Sequence, residues 1–198
     1  VDGFEEGEKV DDIQEAIYRK LETLDKELLI ESAYFVARER RIQMVKKLVE
    51  RGVRVRILTN SLASTDVVAA HGGYAMGRKQ LIENGAEIYE LRPDAGSKTV
   101  TEKRYFGRGR SRAALHTKVI VFERNDVFIG SFNWDPRAAE INTEVAFYVK
   151  SEELARKVIA YMDEGVRHLV ADKSPLELGA YLGRLDVDSY IEAVVAAA

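Results

Sequence analysis

Two short polar motifs contain residue types that could act together on a phosphodiester. The first is His-Thr-Lys at 116–118, and the second is Gly-Ser-Phe-Asn at 130–133. Histidine titrates near neutral pH and can act as a nucleophile or as a general acid-base, while lysine can neutralise charge on non-bridging phosphate oxygens. The serine hydroxyl and the asparagine amide can donate hydrogen bonds to the same oxygens. These groups are the ones that metal-independent cleavage of a phosphodiester needs.

The residue pattern around the motifs predicts a β-hairpin that brings them together. Because residues two apart in a strand point to the same face, His116 and Lys118 are expected to project together, and so are Ser131 and Asn133. Gly130 permits a close backbone approach. Taken separately, a His-x-Lys pair is usually a solvated strand face, and a Gly-Ser-x-Asn run is usually a turn. Their combination in register on one hairpin favours an anion-binding site.

The elements that must hold this hairpin follow from hydrophobic periodicity. The predicted helices are 12–24, 41–51, 74–84 and 152–164, and the predicted strands are 27–36, 53–58, 86–91, 114–122, 127–131 and 144–149. The order strand-helix-strand-helix-strand in the first half predicts parallel pairing. The predicted fold class is therefore α/β, with a mixed, mostly parallel β-sheet flanked by helices on both faces.

Two segments stand apart from this pattern. Residues 93–112 include six basic and few apolar residues, which predicts a long loop that either binds anionic headgroups or is simply solvated. Residues 171–198 end in an alanine-rich stretch and are interpreted as a helical tail. We therefore expect a single domain over 1–170, followed by a tail over 171–198.

The composition argues against several functions. Of the 198 residues, 46% are hydrophobic and 32% charged, which is typical of a soluble globular protein. The formal net charge of -3 argues against a nucleic-acid partner. The chain has no cysteine, three histidines and no metal-ligand spacing, so we expect neither a metal nor another cofactor. No apolar run approaches the roughly 20 residues that span a bilayer.

The spacing of the motifs resembles the signature of the phospholipase D superfamily. In that signature His-x-Lys is followed after four residues by Asp, and after six more by Gly-Ser/Thr-x-Asn. This chain matches the spacing, with Glu123 in the position of the aspartate. In the family that acid supports the turn, a role that either Glu123 or Asp126 could fill here. Segments 32–36, 57–61, 65–67, 71–74, 89–91, 133–137 and 141–144 resemble the C-terminal half of bacterial cardiolipin synthases of the C type.

This resemblance implies a fold and a reaction. Family members combine two half-domains, each of which supplies one His-Lys-Asn set to a shared cleft. One histidine attacks phosphorus to form a phosphohistidine, and the other protonates the leaving alcohol and deprotonates the incoming one. The implied reaction makes cardiolipin from phosphatidylglycerol and a second phospholipid. It would take place at the cytoplasmic side of the cell membrane, to which the protein would bind peripherally.

The resemblance also implies a set of site residues. The implied catalytic residues are His116, Lys118, Ser131, Asn133 and Glu144. Glu144 is the carboxylate that hydrogen-bonds a catalytic histidine, which fixes the tautomer and stabilises the imidazolium. The likeness to a C-terminal half assigns His116 the acid-base role, although the residues themselves leave the nucleophile role open.

Two further residues are implied as substrate contacts. Gly130 belongs to the second motif. His71 is expected to lie near the end of a strand, where it could contact substrate or could equally cap or pack against a helix.

The chain contains one His-x-Lys motif where the family has two. It begins at Val1, which favours a piece of a longer protein whose N-terminal half supplies the second set. The alternative is a homodimer with its two-fold axis at the cleft. Three functions stay open: a phosphatidyltransferase, a homodimeric phosphodiesterase that acts on nucleic acid, and an inactive half-domain that binds anionic lipid. The acceptor alcohol, and the balance between transfer and hydrolysis, are left open too.

Overall fold

The computed structural model of the protein describes residues 12–91 and 114–169. The helices in this part are α1 (Ile13–Glu22), α2 (Glu39–Glu50), α3 (Val68–Glu83), α4 (Pro136–Glu140) and α5 (Glu152–Leu169). The strands are β1 (Glu27–Ser32), β2 (Arg54–Asn60), β3 (Glu87–Leu91), β4 (Lys118–Phe122), β5 (Asp126–Gly130) and β6 (Ala146–Lys150). The basic segment 93–112 and the tail 171–198 lie outside the described residues.

The six strands form one sheet in the order β3-β2-β1-β4-β5-β6. The pairs β1–β2 and β2–β3 are parallel, and the pairs β1–β4, β4–β5 and β5–β6 are antiparallel. Thus β1, β2, β3 and β5 run in one direction, and β4 and β6 run in the other. The prediction of a mixed α/β sheet is confirmed.

This topology places several strand ends at one edge of the sheet. β1, β2 and β5 end there at Ser32, Asn60 and Gly130, while β4 and β6 begin there at Lys118 and Ala146. We call this the site edge. Both sequence motifs therefore lie at the same edge, as the predicted hairpin required.

Helices cover both faces of the sheet, as the sequence predicted. Because side chains alternate along a strand, Leu28 and Ile30 of β1 face one side, and Leu29 between them faces the other. The first side packs against α1, α2 and α3 through Ile17, Leu21, Ile42, Val45, Leu48, Tyr74 and Leu81. The second side packs against α5 through Val119, Val121, Val127, Ala155, Ile159 and Met162.

Helix α3 begins at Val68, so the prediction that it starts at Tyr74 is wrong. Two glycines of this helix have a packing role. A Cβ on Gly77 would lie 2.5 Å from the Cβ and the carbonyl oxygen of Ala37, and a Cβ on Gly73 would lie 2.8 Å from Val36 Cγ1. Glycine therefore lets α3 lie directly against the segment that follows β1.

Three strands that flank the site are shorter than predicted. β1 ends at Ser32 rather than at residue 36, β4 begins at Lys118 rather than at 114, and β6 begins at Ala146 rather than at 144. His116 and Glu144 therefore precede their strands, and the expectation that they lie on them is wrong. In the described part of the chain, the pairing of β4 with β1 ends at Ser32 and Lys118, and the pairing of β6 with β5 ends at Gly130 and Ala146.

The turn between β4 and β5 lies at the opposite edge of the sheet. Glu123 and Arg124 have φ angles of 57° and 60°, so the backbone is left-handed there. The Glu123 Oε1 accepts hydrogen bonds from the backbone amides of Asp25, Lys26 and Glu27 at 3.0, 2.9 and 3.3 Å. This acid therefore connects the hairpin turn to the start of β1.

Asp126 belongs to β5 and not to the turn. It pairs with Phe122 across the hairpin. Its buried carboxylate lies 3.0 Å from Lys20 Nζ and also accepts a hydrogen bond from Tyr148. Asp126 Oδ1 also accepts a hydrogen bond from Asn125 Nδ2 of the turn at 2.7 Å, so both acids that the sequence offered lie at the turn.

Within residues 12–91 and 114–169, no helix combines the length and the apolar character needed to cross a bilayer.

Candidate active site

The five residues of the predicted catalytic set lie on three adjacent strands or directly beside them. Lys118 is the first residue of β4 and His116 lies just ahead of it, while Ser131 and Asn133 follow the end of β5. Glu144 lies just ahead of β6. Because β4, β5 and β6 are neighbours, the set converges on the site edge.

Gly130 permits the backbone of β5 to lie close to the backbone at the start of β6. A Cβ at this position would lie 2.2 Å from the carbonyl oxygen of Val145 and 2.6 Å from the Cα of Ala146. Glycine therefore allows β6, and Glu144 at its start, to lie directly against the second motif. The sequence predicted a close approach but assigned it to the substrate.

Ser131 and Glu144 form a hydrogen-bonded pair. The Ser131 hydroxyl donates to Glu144 Oε2, and Ser131 Oγ accepts a hydrogen bond from the backbone amide of Val145 at 3.0 Å. The other carboxylate oxygen, Oε1, accepts from Asn142 Nδ2 at 3.1 Å. These two side chains hold the carboxylate in one orientation. The sequence assigned no role to Asn142, since nothing in its spacing indicated a contact with Glu144.

Lys118 is half-buried beside its motif partner. Its ammonium donates to the backbone carbonyl of His116, with Nζ to O at 2.8 Å. Burial lowers the pKa of Lys118, and the carboxylates of Glu144, Asp66 and Asp135 oppose that shift. The lysine therefore provides a positive charge that is partly desolvated and surrounded by three acids.

His116 presents its side chain to solvent. On its C-terminal side, the carbonyl of Thr117 accepts a hydrogen bond from the backbone amide of Ala33 at 3.1 Å. An exposed imidazole on a backbone that is held in place can reach a substrate without a rearrangement of the sheet.

Asn133 is buried, 9% exposed, and its Oδ1 has no hydrogen-bond partner among residues 12–91 and 114–169. Buried amide groups without a partner are uncommon in folded proteins and are found where a ligand binds. The next residue, Trp134, fixes this segment, because its carbonyl accepts from Val36 N at 2.7 Å and from Arg41 Nη1 at 2.6 Å. Trp134 also stacks on Phe35, with ring centroids 5.8 Å apart.

His71 lies in the first turn of α3 and is buried. Its Nδ1 is 3.3 Å from the carbonyl oxygen of Asn60, and its ring meets Tyr74 edge-on at 5.4 Å. Burial lowers its pKa. These contacts are those of a packing histidine, one of the two alternatives that the sequence left open.

A tyrosine-aspartate pair near the site had no part in the predicted set. The Tyr34 hydroxyl donates to Asp66 Oδ1 at 2.6 Å. Burial, together with this acid, raises the pKa of Tyr34 to about 12. Asp66 also acts on the pKa of Lys118. The sequence placed Asp66 only in a polar loop, because the contact depends on how β1 and β2 end.

A His-Lys pair, a Ser-Glu pair and a buried asparagine at one edge of a mixed α/β sheet define the class of site that the phospholipase D signature implied. Residues 17–165 match the family model described as "Cardiolipin synthase, PLD-like domain", and the chain belongs to that family. The matched range contains every residue of the predicted catalytic set.

Relatives with similar sequences are known from other bacteria. Cardiolipin synthase C of Escherichia coli (strain K12) is 43% identical over 127 residues, which cover 64% of this chain and 27% of that protein. A Helicobacter pylori (strain ATCC 700392 / 26695) protein described as uncharacterized is 36% identical over 146 residues, which cover 74% of this chain and 28% of that one. The chain therefore spans little more than a quarter of the length of these relatives.

Solved structures share the fold at lower sequence identity. The phospholipase D family member Nuc from Salmonella typhimurium has a TM-score of 0.58 at 15% identity, with 79% of this chain and 88% of that chain covered. NucT from Helicobacter pylori has a TM-score of 0.59 at 18% identity with the same coverage. Phosphatidylserine synthase from Haemophilus influenzae Rd KW20 has a TM-score of 0.59 at 14% identity, with 91% of this chain and 43% of that chain covered.

Proposed function

We propose that this chain supplies one half of the active site of a cardiolipin synthase-like phosphatidyltransferase. The observation that carries the proposal is the convergence of His116, Lys118, Asn133 and the Ser131–Glu144 pair on one edge of the sheet. The 43% identity to a cardiolipin synthase supports a phospholipid substrate. The proposed substrates are phosphatidylglycerol and a second phospholipid, at the cytoplasmic surface of the membrane.

In the proposed reaction, His116 acts as the general acid-base. A histidine of the second half attacks phosphorus, and the bond from phosphorus to the headgroup oxygen breaks as His116 delivers its proton to that oxygen. The incoming alcohol then loses its proton to His116, and its oxygen displaces the histidine nitrogen from phosphorus. The sequence of steps regenerates both histidines and leaves a new phosphodiester.

The remaining residues of the set stabilise charge and orientation. The Lys118 ammonium lies toward the non-bridging oxygens, where negative charge must be neutralised as phosphorus is attacked. The Asn133 amide binds the same phosphate. Glu144, held by Ser131 and Asn142, accepts a hydrogen bond from a catalytic imidazole and stabilises its protonated form.

A second half-domain has to complete this site. One apolar surface next to the site could bind that half-domain. Helix α5 packs over Val121 and Val127, and its Asp163 forms an ion pair with Arg56 of β2. The helix therefore crosses the sheet away from the site edge of β5 and β6. Ile129, Val145 and Phe147 remain 45%, 62% and 67% exposed there. Exposed apolar groups that lie together mark interaction surfaces. We assign these three residues as the contact surface for the second half-domain.

Replacement of the proposed acid-base tests the function. In the full-length protein that contains this chain, His116→Asn is expected to reduce the transfer of labelled phosphatidylglycerol into diphosphatidyl product by at least about 100-fold, because general acid-base catalysis is removed. Glu153→Gln, a surface change on α5, serves as the matched control and should keep the wild-type rate.

A parallel assay with single-stranded DNA addresses the alternative phosphodiesterase. If DNA were cut in a His116-dependent manner and no diphosphatidyl product formed, the phosphatidyltransferase proposal would be rejected. If neither substrate reacted in the full-length protein, both catalytic functions would be rejected, and binding of the chain to anionic lipid vesicles would test the third alternative.

A further inference from the structure

Asn60, the last residue of β2, has a role that the active-site description does not include. Its side chain is 2% exposed, and its amide makes four hydrogen bonds. Two of them go to the backbone of Leu115, the residue directly before His116. The Leu115 amide donates to Asn60 Oδ1 at 2.8 Å, and Asn60 Nδ2 donates to the Leu115 carbonyl at 3.0 Å.

The pairing with Leu115 imitates a strand. In the sheet order, β1 lies between β2 and β4, but β1 ends at Ser32. Beyond that point, none of the strands in the described part of the chain pairs with the residues that lead into β4. The Asn60 side-chain amide presents one donor and one acceptor to Leu115, as a peptide unit of a paired strand would. The side chain thus continues the pairing of the sheet where the backbone of β1 stops.

The orientation of the amide is fixed by its partners. The carbonyl of Ala33 can only accept, and it receives a hydrogen bond from Asn60 Nδ2 at 3.0 Å. The Ser64 hydroxyl donates to Asn60 Oδ1 at 3.3 Å. Because the Leu115 amide can only donate and its carbonyl can only accept, the three bonds to backbone groups require the same assignment of nitrogen and oxygen, and the Ser64 hydroxyl is compatible with it. An aspartate would fit the space but could not donate.

We infer that Asn60 is a positioning residue that fixes the backbone on the N-terminal side of His116. On the other side of the histidine, the Ala33 amide binds the Thr117 carbonyl. His116 is thereby held between two backbone anchors although it lies outside a strand. The inference rests on the proposed function, in that it takes His116 as the group that exchanges a proton with the substrate.

Removal of the Asn60 side-chain amide is expected to disturb the alignment of His116 and not the binding of substrate. Catalytic geometry is demanding, and a displacement of about 1 Å can cost a factor of about 100 in rate. Lys118 and Asn133, which are proposed to contact the phosphate, have no hydrogen bond to Asn60 in the described part of the chain. Loss of the Asn60 amide should therefore lower kcat and leave KM nearly unchanged.

The test compares Asn60→Asp and Asn60→Ala with Asp126→Asn in the full-length protein. Asp126 is also buried, at 4% exposure, and its polar contacts lie at the opposite edge of the sheet. Both Asn60 variants are expected to lower kcat for diphosphatidyl formation about 100-fold with KM within about 3-fold of wild type. Asp126→Asn should lose a similar amount of thermal stability and keep its kcat. The positioning role would be refuted if the Asn60 variants and Asp126→Asn showed the same decrease in Tm and also the same decrease in kcat.

A second measurement needs no activity, and its first part uses the wild-type chain alone. In the 198-residue chain, amide hydrogen exchange of Leu115 is expected to be as slow as that of Ile120 in β4, because both amides have fixed partners. In Asn60→Ala, exchange at Leu115 should accelerate while exchange at Ile120 is unchanged. Rapid exchange at Leu115 in the wild-type chain would refute the inference. Because this experiment involves no substrate, a failure of the proposed function would not affect its result.

Discussion

Lys118 illustrates how individual residues at the site balance burial against charge. Its ammonium is partly removed from water and surrounded by the carboxylates of Glu144, Asp66 and Asp135. Burial disfavours the charged form and the acids favour it. The net effect is a lowered pKa, so the folded protein holds this proton less tightly than the unfolded chain does. The charged form of Lys118 is therefore held at some expense of stability.

A pH titration of stability tests this balance. Because the folded pKa of Lys118 is lowered from 10.5, the unfolded chain binds more protons between the two pKa values. The stability of the wild type therefore gains from this residue as the pH rises through that window. Lys118→Met removes the gain, so the Tm of the variant relative to wild type is expected to fall as the pH approaches 10.5. A difference in Tm that stayed constant with pH in thermal unfolding experiments would contradict the lowered pKa.

The position of helix α3 depends on two glycines, which have no side chain. Its glycines at 73 and 77 face the segment after β1, and this contact places the N-terminal turn of α3, with His71, against Asn60 at the end of β2. The pattern of glycines at the start of a helix predicts a break when it is considered locally. In the folded chain the same pattern allows close packing of the helix, because each glycine is matched by a side chain on the neighbouring segment.

Two alanine substitutions in α3 separate packing from helix propensity. A Cβ at Gly77 would lie 2.5 Å from Ala37, so Gly77→Ala is expected to lower the free energy of unfolding by about 1–3 kcal/mol through overpacking. A Cβ at Gly72 would have no atom within 4 Å, so Gly72→Ala should raise the free energy of unfolding by about 0.5–1 kcal/mol. Urea denaturation of both variants measures the difference. Equal effects of the two substitutions would show that the contact with Ala37 is not close.

At the scale of the whole molecule, the described residues form a sheet that carries the motifs at one edge and exposed apolar side chains beside them. The turn at Glu123 anchors the far edge of the sheet through the backbone amides of residues 25–27. The site edge, in contrast, carries the motifs and the exposed residues Ile129, Val145 and Phe147. A rigid anchor at one end and an apolar contact surface at the other suit a half-domain that assembles with a second one.

A charge placed on this surface should prevent that assembly. Phe147 is 67% exposed, so Phe147→Asp is expected to change the Tm of the isolated chain by no more than about 2 °C. In the full-length protein it should reduce transferase activity about 10-fold or more, because burial of an unpaired charge at an apolar contact is unfavourable. Met76→Asp, at an 87% exposed position on α3, is the control and should keep full activity. Wild-type activity in Phe147→Asp would exclude this surface as the contact.

The sequence by itself predicted most of the elements and a set of candidate reactive groups. Periodicity gave most helices and strands, and the order of elements gave the parallel pairing of β1, β2 and β3, because both depend on local patterns and on general rules of chain connection. The spacing of His116, Lys118 and the second motif was enough to indicate the phospholipase D superfamily.

Only the tertiary structure decided how these groups are held. Three contacts join segments that are distant along the chain. They are the Ser131–Glu144 pair, the backbone amides that bind Glu123, and the pairing of Asn60 with Leu115 beyond the end of β1. Such contacts leave no periodic pattern, because each depends on where a strand happens to stop and on which side chain then meets the free backbone. The sequence therefore identified His116, and the folded chain determined what fixes it in position.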